Sequence, residues 1–172
     1  MFFCAISSQL IIAQTVGPLI KTQWNQNDPY NLMCPEIDGK HCLTSCGTTA
    51  MAQLCYYHQW PEHGMGTGSW HLDGEDFQET DLTADYYDYS KMLLTYDASS
   101  SEEAKKAVAL LMRDVAYLGA VFGLEMSGSP STGELASVMG YDKGLMRLDC
   151  GYFSSEDLKN IIRSELDAGR PY

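Results

Sequence analysis

Positive charge is scarce in this chain. Eleven Lys and Arg stand against 23 Asp and Glu, giving a formal net charge of −12 over 172 residues. Phosphate backbones and anionic bilayers are bound by basic faces, so the balance argues against nucleic acid and against an anionic membrane surface. No run reaches the ~18 consecutive apolar residues of a membrane-spanning helix. Six cysteines are too few for a disulfide-built mini-domain of this length. There is no internal repeat. Histidine is also sparse, with four residues at 41, 58, 63 and 71. What remains is about one domain, or a piece of one, with a hydrophobic content of 45% that suits a globular core.

The richest stretch is His41 to Pro61, HCLTSCGTTAMAQLCYYHQWP. It reads as a loop that becomes a helix with a cysteine at the junction. Thr44 or Ser45 supplies the cap, and Cys46 lies in the first turn. Ala50, Leu54 and Tyr57 or His58 follow on the same face, and Pro61 stops the run. Unpaired N–H groups and the macrodipole favour negative charge at a helix start, so a thiolate is stabilised there. Gly47 leaves room for a substrate carbonyl. Two readings follow: a nucleophilic cysteine at the lip of a cleft, or a small buried cysteine on a core-facing helix.

Upstream, Thr15 to Pro35 (TVGPLIKTQWNQNDPYNLMCP) is turn-rich and extended, an ordered surface strip. Its Gln26 is a neutral donor of the kind that serves a developing oxyanion, or an ordinary exposed glutamine. Residues 1–14 hold an apolar start that suits either the remnant of a secretory leader or a buried N-terminal strand. Cys34 and Cys42 lie close enough in sequence to close a short loop if the protein is exported.

Downstream, residues 62–73 carry three glycines and read as a loop. Tyr86, Tyr87 and Tyr89 with Met92, Leu93 and Leu94 suggest a short apolar helix or turn, its tyrosines in the core or a cleft wall. Residues 99–118 form the clearest amphipathic helix, capped by serines and opened by Glu102 and Glu103. Ser131 and Glu134 have capping-box spacing for a helix over 132–139, closed by Gly140. Leu145 to Cys150 suggests a strand. Leu158, Ile161, Ile162 and Leu166 mark a last helix, ended by Gly169 and Pro171.

The blocks TVGPL, WNQNDPYNLMCP and TSCGTTAMAQLCYYHQWPEHG resemble the streptopain-like (C10) cysteine peptidases. The resemblance continues through VALLMRDVAYLGAVFGLEMSGSPSTGEL, MGYDKG and LKNIIRSELDAGRPY. It implies an α+β papain-like fold over residues 15–172, truncated before the strands that carry the catalytic histidine. It also implies Cys46 as nucleophile and Gln26 as oxyanion-hole residue, and places residues 127–133 in a substrate-cleft loop. Protein or peptide is the implied substrate, with a hydrophobic side chain near the cleaved bond. A propeptide-like inhibitor is a possible partner, and secretion or a bacterial cell-envelope location is the implied setting. No metal or organic cofactor is implied.

The family's Gly-Gly-His segment has no counterpart here. Papain-type enzymes place that histidine about 130–150 residues after the cysteine, which from Cys46 falls at about 176–196. His58 is about 18 Å along the Cys46 helix, out of reach of the thiol. His41 is nearer in sequence but lacks an orienting Asn or Asp. His63 and His71 read as surface loop residues. The expectation is therefore a weakly active or inactive part of a cysteine endopeptidase. Its helices lack strands to bury against, which favours self-association. The alternative is a non-catalytic peptide- or inhibitor-binding module. A zinc site on Cys34, Cys42, Cys46 and a histidine fits poorly, because only one tightly spaced cysteine pair exists.

Overall fold

The apolar spacing of Ala104, Val108, Leu111 and Val115 folds as a helix, α2 (Glu102–Ala116), in a computed structural model that describes residues 17–125, 127–143, 148 and 150–171. Ser101 caps it by accepting the Ala104 N–H at 3.2 Å. The helix stops short of Leu118 because Gly119 adopts φ +98°, which a continuing helix cannot contain. The chain turns there into a strand over Leu118–Phe122, whose residues alternate between buried and half-buried.

Two short strands, β1 (Glu36–Ile37) and β2 (Lys40–His41), form a hairpin ahead of α1 (Cys46–His58). The main sheet has three strands: β3 (Thr67–Leu72) at the centre, β4 (Gln78–Asp81) on one side and β5 (Leu118–Phe122) on the other. β4 runs antiparallel to β3, with Thr67 opposite Asp81. β5 runs parallel to β3, with Ser69 opposite Leu118. The helix α2 makes the crossover that a parallel pair needs.

The loop expected over residues 62–73 is thus corrected: its second half is the central strand. Glycine misled because it serves close approach here rather than turning. A Cβ on Gly68 would lie 2.7 Å from the Tyr117 carbonyl oxygen. Trp70 then stacks on Tyr117 at 4.9 Å and donates its Nε1–H to Thr80 Oγ1 at 3.1 Å. The same logic applies to Gly64, whose added Cβ would overlap the Leu82 carbonyl. Gly64→Ala is therefore expected to lose about 1–3 kcal/mol in urea unfolding. Gly66→Ala, whose nearest neighbour would be 3.6 Å away, should change stability by less than about 0.5 kcal/mol. Equal effects would contradict the packing account.

The core joins Met51, Ala52 and Cys55 of α1, Val108, Leu111, Met112 and Val115 of α2, and Leu118, Ala120 and Phe122 of β5. Leu135, Val138 and Met139 close it from α3 (Thr132–Val138) and its end. Ser131 precedes α3 but makes no side-chain cap bond; its N–H goes instead to the Leu118 carbonyl at 2.7 Å. The expected capping box does not form. Tyr87 and Tyr89 are buried, Tyr86 is exposed, and the segment holds a single 3-10 turn over Tyr89–Lys91. The last helix, α4 (Ser155–Asp167), is capped by Ser154 and has no fully buried residue. Leu158, Ile161, Ile162 and Leu166 are half-buried. Tyr57 ties its far end to α1 by donating to the Gly169 carbonyl at 2.7 Å.

Residues 1–14 lie outside the described residues, as does most of the strand expected over Leu145 to Cys150; a 3-10 turn spans Cys150–Tyr152. No helix among the described residues is long and apolar enough to cross a membrane.

Candidate active site

Ser45, not Thr44, caps α1: its Oγ accepts the Thr48 N–H at 3.0 Å. Cys46 is the first helical residue and is exposed. The buried face of α1 is Thr48, Thr49, Met51, Ala52 and Cys55. The cysteine therefore stands on the side turned away from the core. Cys34, Cys42 and Cys55 are free and buried. Desolvation pushes the Cys34 and Cys55 thiols up to about 12 and raises Cys42 as well. Those three sulfurs are held as thiols in the interior, while Cys46 is open to reagents.

Cys46 and Gln26 line one cleft of about 160 Å³, together with Trp24, Asn25, Thr49 and Ala50. Twenty positions of sequence separate the two, and the backbone closes the gap. Thr44, which is fully buried, donates both its N–H (3.2 Å) and its hydroxyl (3.4 Å) to the Gln26 carbonyl. On the other side, the Gln26 N–H donates to Asn25 Oδ1 at 2.7 Å, and Thr49 Oγ1 donates to the Asn25 carbonyl at 3.4 Å. Buried Asn31 holds the approach to the helix by donating to the Cys42 carbonyl at 3.1 Å. Trp24 anchors the strip against Tyr56 at 5.1 Å and donates its Nε1–H to the Leu93 carbonyl at 2.8 Å. The main chain of Gln26 is thus gripped from both sides, and its side-chain amide has no partner among the described residues. A donor free at one wall and a thiol at the other suit acyl transfer.

Sequence reasoning named Cys46 and Gln26 but missed the clamps. In the sequence Thr44 stands out only as one of two cap candidates, and Asn31 only as part of the turn-rich strip. The available signal was their position: polar residues two before the cysteine and five after the glutamine.

The four histidines lie elsewhere. His41 Nδ1 is 3.1 Å from the Cys34 carbonyl and its Nε2 faces Glu36 at 3.4 Å. His58 ends α1 and lines a separate groove with Trp60 and Tyr141. His63 Nδ1 is 2.7 Å from the Gly64 carbonyl, and His71 packs on Phe77 at 4.3 Å. None lines the Cys46 cleft. Among the described residues no group of three or more His, Cys, Asp or Glu is placed to hold a metal ion.

An N-terminal cysteine helix packed on a second helix, beside a small mixed sheet and a glutamine-bearing strip, is the helical part of a papain-like cysteine peptidase fold. The same fold is found in interpain A of Prevotella intermedia, whose active wild-type structure superposes with a TM-score of 0.82 at 27% identity, over 90% of this chain and 67% of that one. A prointerpain A structure superposes with a TM-score of 0.82 at 26% identity, over 90% of this chain and 52% of that one. The profile of the Peptidase C10 family matches residues 24–172, and this chain belongs to that family. Streptopain of Streptococcus pyogenes serotype M1 is 28% identical over 92% of this chain and 47% of its own length. The thiol protease/hemagglutinin PrtT of Porphyromonas gingivalis is 27% identical over 93% of this chain and 20% of its own length. The chain spans about half the length of the streptopain sequence it matches.

Proposed function

We propose that these residues form the nucleophile-bearing part of a cysteine endopeptidase. The observation that carries the reading is the exposed thiol at the start of α1, sharing a cleft with an amide whose own main chain is clamped. In this reading the Cys46 thiolate attacks a peptide carbonyl. The Gln26 amide and the Cys46 N–H hold the oxyanion. The peptide C–N bond then breaks, the amine leaves with the proton an imidazole had taken from the thiol, and water hydrolyses the acyl-enzyme. The imidazole comes from outside the cleft described, since none of the four histidines lines it. A protein substrate with a hydrophobic residue near the cut, export from a bacterial cell and control by a propeptide-like inhibitor belong to the same proposal. So does a peptidase domain that starts near residue 15, after a leader. The prointerpain A structure supports the control element by analogy of family.

The histidine placement also favours a second reading, a peptide- or inhibitor-binding module that uses the same cleft without turnover. One assay separates them. A chromogenic peptide is added to residues 1–172 and to the protein extended downstream through a Gly-Gly-His segment. Turnover is expected only in the extended protein and is lost in its Cys46→Ala variant. No turnover in either form overturns the endopeptidase reading; equal turnover in both overturns the need for an imidazole from outside the cleft.

A further inference from the structure

The segment after β5 folds back along it. Gly128 N–H donates to the Val121 carbonyl at 2.8 Å, and Ser131 N–H to the Leu118 carbonyl at 2.7 Å. This return places Ser129 and Pro130 against the start of α1. A Cβ on Gly47 would meet Ser129 Oγ at 2.6 Å and Pro130 Cδ at 3.5 Å. Residues 128–130 therefore stand as a wall beside the residue that follows Cys46.

One side chain joins that wall to the loop that delivers the cysteine. Ser127 Oγ donates to the Leu43 carbonyl at 2.7 Å and accepts the Gly123 N–H at 3.1 Å. The Leu43 N–H in turn donates to the Gly123 carbonyl at 3.1 Å. Leu43 lies one residue before the Thr44 clamp on Gln26 and three before Cys46. A single hydroxyl thus ties three segments at one point: the end of β5, the wall, and the loop that carries both clamp and nucleophile. Leu43, Gly123 and Ser127 are half-buried, so water can replace the hydroxyl when it is removed. The bond is accordingly placed to set geometry more than to hold the fold.

We propose that Ser127 is a positioning residue that keeps the 128–130 wall in register with Cys46, so that a peptide laid along the wall presents its carbonyl to the thiol. The proposal rests on the reading of Cys46 as the nucleophile. It predicts a defect for peptide-directed chemistry that small reagents do not feel, because orienting a long ligand depends on the wall and reaching an exposed thiol does not.

The test compares two alkylating agents on residues 1–172: iodoacetamide, and an iodoacetyl group carried on a short peptide with a hydrophobic side chain. Each transfers its carbon to the thiolate and releases iodide. In Ser127→Ala the rate at Cys46 with the peptide reagent is expected to fall about 5- to 20-fold, an orientation loss well within the reach of positioning effects. The iodoacetamide rate should stay within about twofold, and the unfolding midpoint should drop by no more than about 4 °C, a loss of order one hydrogen bond. Ser127→Thr, which keeps the hydroxyl, should restore the peptide-reagent rate. If the wild-type protein shows no preference of the peptide reagent for Cys46 over Cys34, Cys42 and Cys55, the nucleophile reading fails first. If it shows that preference and Ser127→Ala keeps the same rate, or loses both rates in parallel with the midpoint, the positioning proposal is overturned.

Discussion

Above about pH 7, where Asp114 is ionised, Arg113→Ala should lower the stability of this protein by about 3–5 kcal/mol, the range for removing one partner of a buried ion pair. Asp114 is fully buried on α2. Arg113 Nε donates to its Oδ1 at 2.7 Å, and the Tyr87 hydroxyl donates to its Oδ2 at 2.8 Å. Arg113 Nη2 also reaches Asp85 Oδ2 at 2.6 Å and the guanidinium lies over the Tyr117 ring at 5.6 Å. The arginine thus links α2 to the segment that follows β4. Without it, a carboxyl stays in the interior with one hydroxyl partner.

The pH dependence gives the sharper check. Desolvation pushes the Asp114 carboxyl up to about 7, against the opposing pull of Arg113 and the Tyr87 hydroxyl. Between the unfolded value near 4 and the folded value near 7, the folded protein keeps a proton that the unfolded chain has released. This contribution is fully present below about pH 4 and is lost as pH rises through about 7. Removing Arg113 raises the folded value further and extends the decline to higher pH. Below about pH 6 both proteins follow the same slope, so the gap between them is constant; above about pH 7 it widens. Urea unfolding at pH 5.5, 7.0 and 8.5 reads this directly. Asp114→Asn in the Arg113→Ala background should abolish the widening. A gap that is flat across the three pH values with Asp114 present would refute the buried-carboxyl account.

Gln26→Ala is expected to cut kcat by about 10²- to 10³-fold in the extended, turning-over protein, the usual loss for one oxyanion donor, with KM changed little. The structure makes this a clean substitution. The Thr44 and Asn25 bonds engage the main chain of residue 26, so they survive the loss of the side chain. The cleft keeps its shape while the amide disappears. The iodoacetamide rate at Cys46 should remain within about twofold, because alkylation develops no oxyanion. A fall in kcat below tenfold, or a matching fall in the alkylation rate, would assign Gln26 a structural role instead.

Helices were legible where one-dimensional periodicity meets a cap. The α1 start was bracketed to two residues and α2 was placed to within two residues of its end. β3 was hidden because the Gly64, Gly66 and Gly68 spacing at and before its start matches a loop, whereas Gly64 and Gly68 let Leu82 and Tyr117 approach. No local pattern carries that information, since the residues in contact are 18 and 49 positions away. β5 was hidden behind α2 because Leu118 continues the helical stripe. The turn is made by Gly119, whose positive φ is a property of the folded backbone.

By itself the sequence determined the chemistry on offer: a cysteine at a capped helix start, a glutamine in an asparagine-rich strip and an acidic balance of charge. These depend on residue identity and short-range spacing, which a chain displays in one dimension. Tertiary structure alone decided which of Cys34, Cys42, Cys46 and Cys55 faces solvent, which turn carbonyl Thr44 would clamp, and that Ser127 would meet Leu43 from 84 residues away. The reason is that burial and hydrogen-bond geometry are set by every segment that packs at a point, and those segments are neighbours only after folding.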